Sequence, residues 1–190
     1  MRISPPDPPL RDGDVELRPW RREDARAVAA AIDGDEEIAL WLDLIPQPYG
    51  EADAHAYLEQ VASGWADGSS AGFAIVDAET GEVAGSLGIR IEEPDQGNAE
   101  VGYWLARGAR GRGLASRALR LASRWALEEA GLERIQLRAD VRNEPSQRVA
   151  ERAGFRREGV LRSARYNARQ RRRMDWVVYS LIRSDLAGDG

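Results

Sequence analysis

A glycine-rich turn between a strand and a helix constrains the fold of this chain more than any other feature. Residues 100–105 form a strand-like run, and residues 114–129 have the apolar spacing of a long amphipathic helix. The turn between them contains Gly111 and Gly113. Unpaired backbone N–H groups at a helix start, together with the positive end of the helix dipole, favour an anion. The turn therefore predicts a phosphate-binding loop.

The side chains of this turn suit a pyrophosphate. The two glycines lack the Cβ atoms that would keep a pyrophosphate away from the backbone. Arg110 and Arg112 add charged donors, and the small Ala115 lets the helix start come close. The rival interpretation is a dinucleotide-binding fingerprint in a nucleotide-dependent oxidoreductase, because Ser116 completes nearly the same spacing. That motif normally opens a domain, whereas this turn lies past the midpoint of the chain.

The length and composition predict one domain over residues 1–190, with residues 1–13 and 185–190 flexible. No apolar stretch approaches the roughly 20 residues that cross a bilayer, so we expect a cytoplasmic protein without a membrane partner. The chain has no cysteine, which excludes disulfides and thiolate metal sites. The single histidine, His55, lies in an acidic helix and is expected at the surface, and no metal is expected.

The charge is distributed unevenly along the chain. The first 100 residues contain 7 arginines and 22 acidic residues, whereas the last 90 contain 20 arginines and 10 acidic residues. A basic half with a phosphate-binding loop suits a polyanionic cofactor, and an acidic half suits a cationic partner such as an amine. Nucleic acid is not expected, because the net charge is −5 and basic residues do not alternate with aromatic ones.

Hydrophobic periodicity predicts an antiparallel meander followed by a parallel strand. The predicted strands are 15–19, 71–77, 82–91, 98–105, 134–141, 155–165 and 175–182, and the predicted helices are 25–32, 51–66, 114–129 and one from Asn143 to Gly154. Strand 134–141 must run parallel to its neighbour because a whole helix intervenes. Residues 33–50 read as an apolar loop that could contain a short helix.

This order of elements, with six short motifs, resembles the GNAT acyltransferases and, within them, the RimJ/RimL ribosomal-protein N-acetyltransferases. The motifs are Leu17-Arg18-Pro19-Trp20 with Glu23-Asp24-Ala25, Glu100 to Leu105, Arg110 to Ala115, Asn143-x-x-Ser146, Gly154-Phe155-x-x-Glu158-Gly159, and Asp175 to Leu181. The resemblance covers nearly the whole chain. It implies a single-domain α/β fold with a mixed, mostly antiparallel sheet of about seven strands, a central splayed parallel pair and about four helices.

The resemblance also implies where acetyl-CoA, the expected co-substrate, lies. The backbone around Leu105 would bond the pantetheine arm and supply an oxyanion donor, and Asn143 would bond the arm from the other side together with Ser146. Asn143 could equally cap the following helix. The pyrophosphate would lie on the turn made by Arg110, Gly111, Arg112, Gly113, Leu114, Ala115 and Ser116.

Two positions depart from the family pattern. The tyrosine that commonly protonates the thiolate corresponds to Ala150, so Ser146 is the expected acid, although it could instead satisfy backbone groups in the first turn of its helix. The glutamate expected before Tyr166 as the base is Arg165, which cannot accept a proton. Glu100 is the substitute base, acting through water, or else the ion-pair partner of an arginine. Tyr166 could line the acceptor side or replace Ser146.

The acceptor side is expected to involve Trp41, Tyr49, Trp104 and Arg165, although aromatic residues of a loop can also simply pack on the core. Arg169, Arg171, Arg172 and Arg173 form either a solvated hairpin tip or a grip for an acidic acceptor or a succinyl group.

We therefore expect acetyl transfer from acetyl-CoA to a primary amine by direct attack in a ternary complex. The amine would belong to a protein N-terminus, a lysine or a small molecule. Succinyl-CoA as donor, a non-catalytic acyl-CoA sensor and a homodimer stay open as alternatives.

Overall fold

One mixed sheet organises the chain, and the computed structural model describes residues 3–186. In the sheet the strands lie in the order β1-β2-β3-β4-β5-β6-β8-β7. The strands are β1 (Leu10–Asp12), β2 (Val15–Pro19), β3 (Ser70–Asp77), β4 (Val83–Glu93), β5 (Asn98–Leu105), β6 (Arg134–Asp140), β7 (Arg156–Asn167) and β8 (Arg172–Ile182).

Six α-helices flank this sheet, and local sequence explains where several of them begin. Asp35 starts the second helix by accepting hydrogen bonds from Glu37 N–H and Ile38 N–H. Asn143 starts the fifth by accepting from Ser146 N–H, with Pro145 tolerated in its first turn. The helices are α1 (Ala25–Ile32), α2 (Glu36–Trp41), α3 (Glu51–Asp67), α4 (Leu114–Glu128), α5 (Glu144–Arg152) and α6 (Arg183–Leu186).

The two faces of the sheet carry separate apolar clusters. On one face, residues that alternate along the strands pack against α4 and α5; they include Phe73, Leu87, Val101, Ile135 and Leu181, with Leu119 and Trp125 from α4. On the other face, α1, α2 and α3 enclose a smaller cluster that includes Val28, Ile38, Leu58 and Trp104. The alternation places Trp104 and its neighbours in sequence on opposite faces of β5.

The parallel pair β5 and β6 separates soon after it forms. The strands pair only at Asn98 with Arg134, Ala99 with Ile135 and Glu100 with Gln136. Beyond Glu100, β5 continues alongside β4, whereas β6 continues alongside β8 up to Asp140. The pair therefore opens into a wedge in the middle of the sheet.

The predicted fold class and the splayed pair are confirmed, with small differences in the counts. Residues 3–186 contain eight strands rather than about seven. The additional strand is β1, which lies in the segment 1–13 that we expected to be flexible and pairs with β2. The same residues contain six α-helices rather than about four, because α2 forms within the apolar loop and α6 follows β8. Of the expected flexible tail, residues 185 and 186 lie in α6, and residues 1–2 and 187–190 lie outside the described residues.

Candidate active site

The wedge between β5 and β6 is the centre of a cleft with a cavity volume of about 560 Å³. Its walls come from both diverging strands, one side of α2, the turn before α4, one side of α5 and the β7–β8 hairpin. The floor is formed where the strands still pair. The cleft thus runs through the sheet between two helical layers.

One wall of the wedge is an unpaired backbone edge. Ala106 N–H bonds to the Ala84 carbonyl at 2.9 Å, which fixes the residues of β5 that face β4. Hydrogen-bonded pairs alternate along an antiparallel ladder. The backbone N–H and C=O groups of the intervening residues therefore point into the wedge, and these residues are Val101, Tyr103 and Leu105.

The glycine-rich turn closes one end of the cleft. Gly111 and Gly113 have φ values of 78° and 80°, a left-handed conformation that glycine adopts without strain. A Cβ atom built on either would meet no protein atom within 4 Å. The space above both glycines is consequently open to a ligand, as the phosphate-binding interpretation requires. Gly113 is also the residue that precedes α4, so the helix N-terminus lies at this end.

Arg110 is bound by the protein itself. Its guanidinium donates to the Leu105 carbonyl at 2.9 and 3.2 Å, to Asp35 at 2.8 Å and to Glu37 at 2.9 Å. Asp35 is nearly inaccessible, with 4% of its side chain exposed. Burial alone would raise the pKa of Asp35, but the Ile38 N–H bond and Arg110 outweigh it and lower that pKa. Arg110 thus joins the end of β5 to Asp35, which precedes α2, and to Glu37 in the first turn of α2.

Arg112 is also paired inside the chain, with Asp77 at 2.6 Å, and it does not line the cleft. The expectation that Arg110 and Arg112 direct their side chains at a phosphate is therefore not met in this structure. The neighbouring Leu114 is fully buried in the main core, which leaves its backbone as the part near the turn. Gly111, Gly113, Ala115 and Ser116 do line the cleft.

Ser146 lies on the opposite wall at the start of α5. Its backbone N–H donates to Asn143 Oδ1 at 3.1 Å, so Asn143 does cap the helix, and both residues line the cleft. The Ser146 hydroxyl accepts a hydrogen bond from the Tyr103 hydroxyl at 3.1 Å. Burial raises the pKa of Tyr103 to about 12, although the bond to Ser146 acts in the opposite direction. Tyr103 therefore stays a donor throughout the physiological pH range.

Glu100 lies at the point where the wedge opens, and its carboxylate is ion-paired. The partners are Arg138 of β6 and Arg90, at 3.4 Å. Arg138 in turn lies 4.8 Å from the ring centre of Trp176. Of the two roles that the sequence left open for Glu100, the geometry favours the ion pair over the base.

The opposite end of the cleft, which we call the acceptor end, is built from Trp41, Leu42, Arg165, Met174 and Trp176. Arg165 donates to the almost fully buried Asp43 at 2.7 Å. Asp43 also accepts from Ala168 N–H at 3.3 Å, so the β7–β8 hairpin is held against the segment after α2. Trp104 lines the cleft from the other face of β5, as expected.

Two predicted acceptor residues lie elsewhere. Tyr49 is 6% exposed and belongs to the smaller core between α1 and α3, where burial raises its pKa to about 12. Tyr166 does not line the cleft and is 52% exposed, because its position in β7 directs it away from the sheet. Tyr49 is therefore a packing residue, and Tyr166 is not placed to protonate a leaving thiolate.

The hairpin arginines also differ from the expectation. Arg169 donates to the Ile45 carbonyl at 2.9 Å, Arg172 to Asp140 at 2.7 Å, and Arg173 to the Ser163 carbonyl. Each of these three arginines thus has a partner within the chain, although Arg169 and Arg173 are exposed. The hairpin tip joins β7 and β8 to the segment after α2.

Some of the unevenly distributed charges form ion pairs between the two halves of the sequence. Acidic residues of the first half bind arginines of the second half in the pairs Asp12–Arg120, Asp14–Arg117, Asp35–Arg110, Asp43–Arg165, Asp77–Arg112 and Glu100–Arg138. Part of the acidic first half therefore binds part of the basic second half, and these groups are not free for a charged ligand.

Several cleft residues were missed by the sequence reasoning. They are Glu37, Leu42, Arg90, Arg138, Asp140, Arg148, Arg152, Met174 and Trp176, together with Tyr103 as a partner of Ser146. Tyr103 could have been found, because it lies two residues before Leu105 and so shares its face and its backbone edge. The others depend on strand register and on helix position.

No group of three or more His, Asp or Glu side chains within residues 3–186 could hold a metal ion. In that same part of the chain, none of the helices has both the length and the apolar character needed to cross a bilayer.

The family profile of the acetyltransferase (GNAT) domain matches residues 14–156, which include both walls of the wedge. The chain is 28% identical over 179 residues to an uncharacterised N-acetyltransferase, p20, of Bacillus licheniformis, covering 94% of this chain and 92% of that protein. It is 34% identical over 85 residues to the ribosomal-protein-serine acetyltransferase of Escherichia coli, covering 45% and 48%.

A solved structure shows the same fold over almost the whole chain. Mycobacterium smegmatis RimJ, in complex with CoA-disulfide, superposes with a TM-score of 0.81 at 24% identity and covers 97% of this chain and 92% of that one.

Proposed function

From the premise that this chain belongs to the GNAT acetyltransferases, we propose that it transfers the acetyl group of acetyl-CoA to the terminal amine of a protein. The observation that carries the proposal is the unpaired β5 edge that leads to the open glycine turn. The E. coli ribosomal-protein-serine acetyltransferase among the relatives supports a protein acceptor.

The unpaired edge and the turn fit the two parts of the cofactor. The free N–H and C=O groups of Tyr103 and the N–H of Leu105 would bond the amides of the pantetheine arm as a neighbouring strand does. The turn backbone and the α4 N-terminus would hold the pyrophosphate. A side chain at Gly111 or Gly113 would fill the same space.

The positive charges that pair with the phosphates would come from arginine side chains of α5 rather than from those of the turn. Arg148 lines the cleft and, among residues 3–186, pairs only with the exposed Glu144 of the same helix, an arrangement that contributes little to stability. Arg152 also lines the cleft, and it forms no ion pair with any of residues 3–186. Both guanidinium groups can therefore turn to a phosphate without leaving a buried carboxylate unpaired.

Ser146 would act as the acid of a direct transfer. The amine nitrogen attacks the thioester carbon, a backbone N–H of the β5 edge that the pantetheine arm leaves free stabilises the negative oxygen, and the C–S bond breaks. The departing sulfur takes the proton of the Ser146 hydroxyl, which regains one from water. The amine loses its own proton to water in the cleft.

An acetyl donor is favoured over a succinyl donor. Arg165, Arg169, Arg172 and Arg173, which could have bound a carboxylated acyl group, all donate to groups of their own chain. Arg165 and Arg172 are already neutralised by Asp43 and Asp140, which lowers the gain from binding a further carboxylate there.

Isothermal titration with acetyl-CoA, succinyl-CoA, free CoA and NADH tests the cofactor assignment. We expect the wild type to bind acetyl-CoA more tightly than succinyl-CoA and not to bind NADH. Gly113→Val should weaken acetyl-CoA binding by about 100-fold, because two charge-assisted backbone bonds are lost. Gly81→Val is the matched control, since Gly81 has φ +74° and equally open space but lies in the β3–β4 turn. Equal losses in both variants would contradict the proposed loop.

Release of CoA with a panel of N-terminal peptides, lysine peptides and small amines tests the reaction. The N-terminal peptides should give the highest kcat/KM. Tight acetyl-CoA binding without turnover on any amine would instead support a sensor.

A further inference from the structure

The hydroxyl of Ser146 has a partner on strand β5, whereas the hydroxyl of Ser116, at the same helix position, bonds within its own helix start. Ser116 occupies the same position in α4, three residues after Gly113, and donates to the Gly113 carbonyl at 3.0 Å. Ser146 stands three residues after Asn143, yet its hydroxyl oxygen accepts from Tyr103 at 3.1 Å. The two serines thus share a position and differ in the partner of the hydroxyl.

We propose that Tyr103 is a positioning residue that aims the proton of Ser146 into the cleft. A serine hydroxyl has one proton and two lone pairs. Because the Tyr103 hydroxyl donates to one lone pair, the Ser146 proton must point away from Tyr103. Both side chains line the same cleft, so the remaining directions include the space beside the open edge of β5.

The protonation state of Tyr103 supports this role. Burial raises the pKa of the phenol to about 12, so Tyr103 keeps its proton at any pH at which the protein would work. A phenolate would accept the Ser146 proton and turn it away from the cleft. Glu100 is paired with Arg138, and Asp140 with Arg172. The other titratable or charged groups that line the cleft are Glu37, Arg90, Glu100, Arg110, Arg138, Asp140, Arg148, Arg152 and Arg165.

Tyr103 also accounts for a departure from the family pattern. The position at which a tyrosine commonly serves as the acid is Ala150, which is fully buried and has no hydroxyl. A phenol from strand β5 is present instead, and it reaches the reaction through Ser146 rather than directly.

A double-mutant cycle on kcat tests the inference, which rests on the proposed function. Tyr103→Phe should lower kcat by about 10-fold, a fraction of what general acid catalysis contributes, with KM for acetyl-CoA within twofold of wild type. Ser146→Ala should lower kcat by about 100-fold. In the Ser146→Ala background, Tyr103→Phe should change kcat by less than twofold, because the group that it positions is gone.

Tyr166→Phe is the matched control and should leave kcat unchanged, since Tyr166 lies outside the cleft. Acetyl-CoA affinity equal to wild type would show that the Tyr103→Phe cleft is folded. A wild-type kcat in Tyr103→Phe, or the same decrease in both backgrounds, overturns the inference. A wild type that turns over no amine removes the proposed function and the inference together, whereas turnover insensitive to Tyr103 removes only the inference.

Discussion

The two ends of the cleft differ in the kind of group that lines them. At the turn, the open space lies over the backbone of Gly111 and Gly113, and the nearby arginine side chains bind carboxylates of the same chain. At the acceptor end, the cleft is lined by residues from α2, the segment after it and the β7–β8 hairpin. One end is local in sequence, and the other joins residues more than 120 positions apart.

This difference separates what each end requires of the sequence. A backbone site needs small residues with the right φ values and a helix behind it, whatever the surrounding side chains are. A side-chain site needs each contributing segment to be held in place by contacts of its own. Substitution of an arginine at the turn should therefore lower the stability of the fold. Substitution of an arginine at the acceptor end should instead weaken the recognition of the amine substrate.

Arg110→Ala should give the largest effect, a loss of about 2–3 kcal/mol in the free energy of unfolding, because it leaves the buried Asp35 with only the longer ion pair to Arg107, at 3.9 Å. Acetyl-CoA affinity should change by less than about threefold. Urea denaturation and isothermal titration measure the two quantities. The control is Arg124→Ala, which removes an exposed pair with Glu128 and should cost under about 0.5 kcal/mol. A large loss of affinity at unchanged stability would mean that the turn binds through its side chains.

Arg165→Ala should raise the KM for the amine by about 10-fold, equivalent to 1.4 kcal/mol, and leave the Kd of acetyl-CoA unchanged. The reason is that Asp43 loses one of the contacts that hold the hairpin against the segment after α2. Steady-state kinetics with both substrates varied gives the two constants. Arg162→Ala, an exposed residue of the same strand, should change neither. If the effect falls on acetyl-CoA instead, the assignment of the two ends is reversed.

Glu100→Gln should give the smallest effect, a decrease in kcat/KM of about threefold. Because Glu100 is paired with Arg138 and Arg90, the substitution weakens an ion pair but removes no group that accepts a proton in the reaction. The acid limb of the pH profile of kcat/KM should stay in place. Displacement of that limb would return Glu100 to the role of base.

The fold and the turn could be predicted because their signals are local. The strand before Gly111, the two glycines and the helix after them stand in one stretch of the sequence, and β5 and α4 begin where that pattern places them. The short strand β1 was missed because three residues give too little periodicity.

The acceptor end could not be predicted to the same depth. Whether Tyr49 or Tyr166 faces the cleft depends on the packing of α1 against α3 and on the register of β7 against β8, which no local pattern specifies. The arginines were misassigned for a related reason. Their charge is visible in the sequence, but the carboxylates that bind them lie up to 122 positions away.

The splayed pair of strands has a consequence for selectivity. An unpaired strand edge normally lets another polypeptide add to a sheet, and proteins block such edges to avoid association. Here the vacant strand position lies inside the sheet, between β5 and β6, with helices over both faces. A slender molecule with amide groups would fit between the diverging strands more readily than a polypeptide with side chains on both faces. The architecture thus keeps a docking edge available to a small linear molecule while protecting the protein from unwanted self-assembly.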